Sequence, residues 1–167
     1  VKAIILYPMN ALATDQSRRL ASMLWHDDRL RGKVSAGLYV GGEGQHGVAD
    51  VEHLVDKRDV LRQSPPDILL TNYRMLDFLL LRPEDARIWR DNKPETLRYL
   101  VLDELHTYDG AQGSDVACLI RRLKLRLGCA PGSVCSIGTS ATIGSGKQAE
   151  VVQALTEFAT KVFDETF

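Results

Sequence analysis

Asp103, Glu104 and His106 stand together at the end of an apolar run, Tyr99-Leu100-Val101-Leu102. Burial of such a run holds its backbone rigid, and the acids emerge at its C-terminal end, where open α/β sheets bind ligands. One carboxylate of such a pair can hold Mg²⁺ on a nucleotide while the other orients a water for attack on the γ-phosphate. The same four residues, 103–106, also fit a plain strand that runs into a polar turn. The tetrapeptide by itself does not separate the two.

The elements that must position these acids follow from apolar spacing. Residues 1–7 read as a nearly continuous apolar strand, the pattern of a parallel strand covered on both faces, and Pro8 ends it. Residues 11–30 read as a helix with Leu12, Leu20, Met23 and Leu24 toward the core. Residues 34–40 form a second strand, followed by a flexible turn at Gly41-Gly42-Glu43-Gly44. Asp50 is placed to cap a helix carrying Val51, Leu54, Val55 and Leu61. Residues 67–70 are a third strand, and a helix over 72–81 sets Met75, Leu76, Leu79 and Leu80 on one side. The polar stretch 83–95 reads as irregular, with Trp89 as an anchor. Residues 98–102 are the fourth strand. Ser114 then serves as N-cap to a helix whose Val116, Leu119, Ile120, Leu123 and Leu127 recur at helical spacing, with Gly128 at its C-terminal stop. A fifth strand over 134–137 and a helix over 148–163 complete the chain; Val151, Val152, Leu155, Phe158, Ala159 and Val162 form the last helix's stripe. Strands alternating with helices predict an α/β fold with a parallel, doubly wound sheet.

Composition narrows the class. The 167 residues are 44% hydrophobic and 26% charged, ordinary for a globular domain and long enough for one domain with a real core. The net charge of −1 provides no global field for nucleic acid, so any such binding rests on local groups. The basic run Arg121-Arg122-Leu123-Lys124-Leu125-Arg126 is such a group, or else a solvated helix face. Cys118, Cys129 and Cys135 fit no paired or zinc-binding spacing; Cys118 and Cys135 sit in apolar segments and read as core residues. Their odd number suggests a reducing, cytoplasmic setting. No run reaches the ~20 apolar residues of a membrane span.

Three further segments join the acids in order: Tyr7-Pro8-Met9-Asn10-Ala11-Leu12-Ala13-Thr14-Asp15-Gln16, then Thr71-Asn72-Tyr73-Arg74-Met75-Leu76, and after the acids Gly138-Thr139-Ser140-Ala141-Thr142. In order and spacing these resemble motifs Ia, Ib, II and III of superfamily-2 helicases of the DExH type. The stretch from Leu102 through Tyr108, Gly110, Gly113 and Ser114 to Leu123 is similar to the DEAD/DEAH-box branch that holds the Lhr-like and RecQ4-like bacterial and archaeal enzymes. The resemblance covers nearly the whole chain, and the repair role it suggests is an expectation from the family alone.

That resemblance implies most of the first of two RecA-like domains, over residues 1–167, with ATP and Mg²⁺ as cofactors and DNA or RNA as partner. It puts Asp103 on Mg²⁺ through water, Glu104 on the attacking water, and His106 in the coupling of the nucleotide site to the motor. Ser140 and Thr142 bond the acidic motif and link hydrolysis to domain movement; on its own the tripeptide fits a Ser/Thr turn equally. Pro8, Asn10 and Ala11 meet nucleic-acid backbone at a helix N-terminus, and Thr71 and Arg74 do so after the third strand. Motif Ib departs from the family's Thr-Pro-Gly-Arg, because Asn72-Tyr73 replaces Pro-Gly. Gly41 and Gly42 match a glycine pair beside bound nucleic acid in related enzymes, or serve as simple turn formers.

The phosphate loop G-x-x-x-x-G-K-[ST] is absent from the sequence. Gly144-Ser145-Gly146-Lys147 imitates it, but Ala141 stands at the first glycine position and Gln148 at the Ser/Thr. The chain is therefore expected to be a fragment, truncated at its N-terminus and inactive alone, whose partners are the phosphate-loop segment and second RecA-like domain of the same protein. In related domains the motif III strand lies between the phosphate-loop and motif II strands, so the 134–137 strand is expected at an exposed edge open to self-association. The alternative is a RecA-like scaffold that has lost its phosphate loop and binds nucleic acid or protein.

Overall fold

The computed structural model describes residues 1–140 and 148–165. Five strands, β1 (Ala3–Tyr7), β2 (Ala36–Tyr39), β3 (Ile68–Asn72), β4 (Tyr99–Leu102) and β5 (Cys135–Gly138), form one sheet in the order β2-β3-β1-β4-β5. All four pairings are parallel, and β1 sits at the centre with Ala3 opposite both Ile68 and Tyr99. Parallel neighbours need a crossover between them. These are supplied by helices α1 (Asn10–His26), α2 (Arg58–Gln63), α3 (Tyr73–Leu81) and α4 (Gly110–Leu127), and α5 (Gln148–Phe163) follows the last strand.

The two-residue period of β1 divides the core. Ile4 and Leu6 pack into the larger apolar cluster with residues of α3, α4 and α5, while Ile5 and Tyr7 join the smaller one with α1. Helices thus cover both faces, which is why the strands read as unbroken apolar runs.

Several local expectations are corrected. Helix α1 buries Ala13, Ser17 and Ala21, whereas Met23 is exposed; small side chains at four-residue spacing let the helix lie close to the sheet, and Leu12, Leu20 and Leu24 flank that seam. No helix begins at Asp50. Its carboxylate instead accepts hydrogen bonds from the backbone N–H of Glu52 and His53, 2.7 Å each, an Asx turn that competes with helix formation. Val55 then forms a parallel bridge with Gly37. Helix α4 starts at Gly110, four residues before Ser114, whose hydroxyl bonds the Gly110 carbonyl from inside the helix. Gly128 closes it at φ 68° as expected. Cys118 and Cys135 are exposed and Cys129 is half-buried, because Cys118 lies off the buried stripe of α4 and Cys135 lies on an edge strand.

Three of the four cations in the basic run on α4 make internal ties. Arg122 pairs with Asp77 of α3 at 2.5 Å, Lys124 with Glu165 at 2.5 Å, and Arg121 with Asp164 at 3.3 Å. The 83–95 stretch is also ordered: a 3₁₀ turn over Pro83–Trp89 buries Trp89, whose indole N–H donates to the Leu79 carbonyl at 2.9 Å.

Two buried tyrosines make stability depend on alkaline pH. Burial, then the nearby Asp103 charge, pushes the Tyr7 hydroxyl up to about 12. Burial, then a hydrogen bond to Asp85, does the same to Tyr39. An unfolded tyrosine ionises near pH ~10, so between about pH 10 and 12 the native state holds more protons than the unfolded one. Stability is complete below ~10 and is lost as pH rises through ~12. Denaturant melts through this window are expected to show a falling midpoint with a smaller slope in Tyr39→Phe. Identical slopes in both proteins would refute the assignment.

Candidate nucleotide and nucleic-acid site

The acids leave the sheet where expected. The Asp103 N–H still bonds the Leu6 carbonyl of β1 at 2.9 Å, so the residue is held by the ladder. Glu104 then turns left-handed, with φ 53° and ψ 52°, a conformation that costs a non-glycine residue about 1 kcal/mol or more. The turn points the Glu104 carbonyl at Thr107, whose N–H and hydroxyl both donate to it at 2.8 Å.

The segment after β5 fastens this turn. The Thr139 hydroxyl donates to the Asp103 carboxylate and accepts from the Glu104 N–H at 3.2 Å. The Thr139 carbonyl accepts from the Leu105 N–H at 2.7 Å, and its N–H donates to Leu102 at 3.0 Å. His106 Nδ1 lies 2.9 Å from the Ser140 hydroxyl and 3.4 Å from Glu104 Oε2. Gly138 makes the approach possible: a Cβ there would stand 2.7 Å from the Leu105 side chain. The structure thus brings Asp103, Glu104, His106 and Ser140 together. Thr142 and the 144–147 stretch lie outside the described residues. The sequence reading missed Thr139; the signal for it was its place directly after the strand, opposite Asp103.

Below the turn, Tyr108 is fully buried, and burial followed by the Asp103 charge raises its hydroxyl well above the usual range. Its ring meets Tyr73 edge-on at 6.4 Å, which ties the acidic turn to the start of α3. A Cβ on Gly113 would stand 2.4 Å from the Tyr108 carbonyl oxygen, so α4 packs there only through glycine. Gly113→Ala is expected to destabilise the fold by about 1–3 kcal/mol, read as a lower urea midpoint; an unchanged midpoint would contradict the close packing.

A cleft of about 440 Å³ opens at the same end of the sheet, lined by Pro8, Asn10, Gly41, Asn72, Arg74 and Gln112, among others. Asn72 caps α3 by accepting from the Met75 N–H at 2.8 Å and donates its amide to Asn10 at 2.5 Å. Helix α1 begins beside the cleft with no side-chain cap, so its first N–H groups lack intrahelical partners. Pro8, Asn10, Gly41 and Arg74 therefore meet in one place. Ala11 is exposed on the first turn of α1, and Gly42 takes φ 97° in the adjoining loop; neither lines the cleft. Thr71 is fully buried, and its hydroxyl donates to the Tyr39 carbonyl at 2.6 Å. Asn72 and Gln112 were not legible as cleft residues. A larger cavity, about 530 Å³, lies at the other end of the strands beside Trp25, Val48 and Asp67; neither Asp103 nor Glu104 lines it.

The model of the DEAD/DEAH box helicase family matches residues 1–151. The Druantia protein DruE of Escherichia coli strain UMEA 4076-1 is 41% identical over 100 residues, 56% of this chain and 5% of that protein. An uncharacterised ATP-dependent helicase of Bacillus subtilis strain 168, YprA, is 34% identical over 153 residues, 88% of this chain and 17% of that protein. Among solved structures, the DUF1998 helicase MrfA bound to DNA and AMPPNP is similar over 99% of this chain and 20% of its own, with TM-score 0.68 and 28% identity. Helicase Lhr of Mycobacterium smegmatis, bound to ssDNA and AMP-PNP, shares the fold with TM-score 0.64 and 21% identity over 91% of this chain and 18% of its own. The chain spans a fifth or less of the length of each of these proteins. By the family match, the chain belongs to the DEAD/DEAH box helicases.

Proposed function

We propose that this chain is the larger part of the first RecA-like domain of an ATP-driven helicase or translocase acting on DNA or RNA in the cytoplasm. The observation that carries the reading is the stitching of the Asp103–His106 turn to Thr139 and Ser140, at the sheet end that also opens the Asn10–Arg74 cleft. Glu104 holds the attacking water. Its carboxylate lies 3.4 Å from His106. His106 in turn meets Ser140, so a shift of the 138–140 segment reaches both Asp103 and Glu104. Pro8, Asn10 and Arg74 hold the phosphodiester backbone, a contact that positions a strand without reading its sequence.

Asp103 is a hard oxygen donor on a rigid strand end, and its chemistry fits Mg²⁺ held through water. Among the described residues no three His, Cys, Asp or Glu side chains gather as a metal cage; a Mg²⁺ site made of one carboxylate, waters and substrate phosphates needs none. When bound, Mg²⁺ neutralises charge on the phosphates.

The chain works as a segment of a longer protein that supplies the phosphate loop and a second RecA-like domain. Its sequence contains no G-x-x-x-x-G-K-[ST], and the backbone N–H groups and lysine of that loop are what cradle the phosphates. Alone, the chain is therefore expected to bind ATP weakly and not turn it over. Calorimetric titration with Mg-ATP and a phosphate-release assay check this; micromolar affinity or steady turnover would refute it. Among the described residues β5 pairs with β4 only, and Ile137 on it is 39% exposed. Such an edge templates further pairing, so light scattering over a concentration series is expected to show dimers or larger species. A chain that stays monomeric throughout would overturn the reading of that edge.

A further inference from the structure

The outer face of α3 carries residues that its packing does not use. Met75, Leu76, Leu79 and Leu80 are buried, whereas Phe78 is 41% exposed. Arg74, Phe78 and Arg82 recur at four-residue spacing, which places them on one stripe. The Arg82 guanidinium lies 4.1 Å from the centre of the Phe78 ring, and that of Arg74 lies 5.7 Å from the centre of the Tyr73 ring. Arg62, Arg121 and Arg122 pair with carboxylates. Among the described residues neither Arg74 nor Arg82 does.

Tyr73, Arg74 and Phe78 also stand between two depressions. One is the cleft that holds Asn10. The other, about 310 Å³, runs between α3 and α4 past Asp77, Asp115 and Arg122. A strand lying in the cleft meets this ridge on the α3 side. The charge of the ridge suits a polyanion: Arg82 lies over the Phe78 ring and Arg74 donates to the Tyr73 hydroxyl at 3.0 Å, neither with a carboxylate partner among the described residues, and Asp77 is already neutralised by Arg122 at 2.5 Å. Resting on the reading of the cleft as a backbone site, we infer that Phe78, backed by Arg82, is a stacking platform for one unpaired base of the bound strand. Arg74 meets the adjoining phosphate. A base offers its face to such a ring only when it is outside a duplex stack, so the platform selects single-stranded nucleic acid. Stacking of this kind is indifferent to sequence.

The test is fluorescence anisotropy of a labelled oligothymidylate with the full chain over a salt series. Phe78→Ala is expected to weaken binding about tenfold with the salt slope unchanged, because a ring releases no counterion. Arg74→Gln is expected to weaken binding and reduce the slope by about 1. An oligonucleotide of abasic sites binds wild type as weakly as oligothymidylate binds Phe78→Ala, and the variant loses nothing further. Phe78 stands outside the core, so Phe78→Ala keeps the wild-type thermal melt. If Phe78→Ala binds like wild type while Arg74→Gln is weakened, the platform is overturned and the cleft stands. If wild type shows no salt-dependent binding, both are overturned. If Phe78→Ala keeps oligonucleotide affinity but loses self-association in sedimentation, the ring belongs to a protein contact and the inference fails.

Discussion

Glu104→Gln in the intact protein is expected to leave nucleotide binding in place and to abolish hydrolysis. The substitution is nearly isosteric, so the left-handed turn, the Thr107 bonds to the Glu104 carbonyl and the Thr139 bond to its N–H all survive. What disappears is the carboxylate proposed to position and activate water. General-base assistance of this kind contributes roughly 100- to 10,000-fold, so a loss of at least ~100-fold, about 2.7 kcal/mol in barrier, is expected in single-turnover hydrolysis. A rate within about tenfold of wild type, under ~1.4 kcal/mol, would give Glu104 another role.

Arg62→Met is expected to have the largest effect on stability. Asp85 is fully buried. One of its oxygens accepts from the Tyr39 hydroxyl at 2.7 Å and from Arg62 Nε at 2.8 Å; the other has no hydrogen-bond partner among the described residues. Arg62 also reaches Glu84 at 2.9 Å and Asp59 at 3.2 Å, which are more exposed and lose little without it. Removing the guanidinium strands the buried charge and costs about 3–5 kcal/mol, against a total of roughly 5–15 for a typical domain. Urea melts should show the loss, and Arg62→Met combined with Asp85→Leu should recover most of it, since the charge goes with its partner. A loss below ~1 kcal/mol would mean that Asp85 does not depend on Arg62.

Neither Arg62 nor Asp85 was legible in the sequence, because the two lie far apart in the chain and nothing about an Asp in a polar stretch marks it as buried. The strands were legible for the opposite reason. In a parallel sheet covered on both faces every position is apolar, so β1 and β4 stand out without any pairing information. The last helix was placed at 148–163, as found. Errors fell where local side-chain bonds decide the backbone: Asp50 made a turn rather than a cap, and Gly110 let α4 begin ahead of Ser114. At the site, the acids were readable because a buried strand delivers them. Thr139 was not, since its role depends on β5 lying beside β4. Thr71 shows the converse. Its position in the motif is right for a phosphate contact, yet its hydroxyl faces β2 and bonds Tyr39, while Asn72 beside it turns toward Asn10.

If one end of this sheet joins an ATP-hydrolysing turn to a nucleic-acid cleft, the two must be coupled in the intact protein. The most direct test is the hydrolysis rate of the intact protein with and without saturating single-stranded nucleic acid, for wild type, Arg74→Gln and His106→Ala. Nucleic acid is expected to accelerate wild-type hydrolysis, Arg74→Gln to need more of it to reach the same rate, and His106→Ala to bind it normally without being accelerated. A wild-type rate indifferent to nucleic acid, or His106→Ala accelerated as fully as wild type, would contradict that coupling.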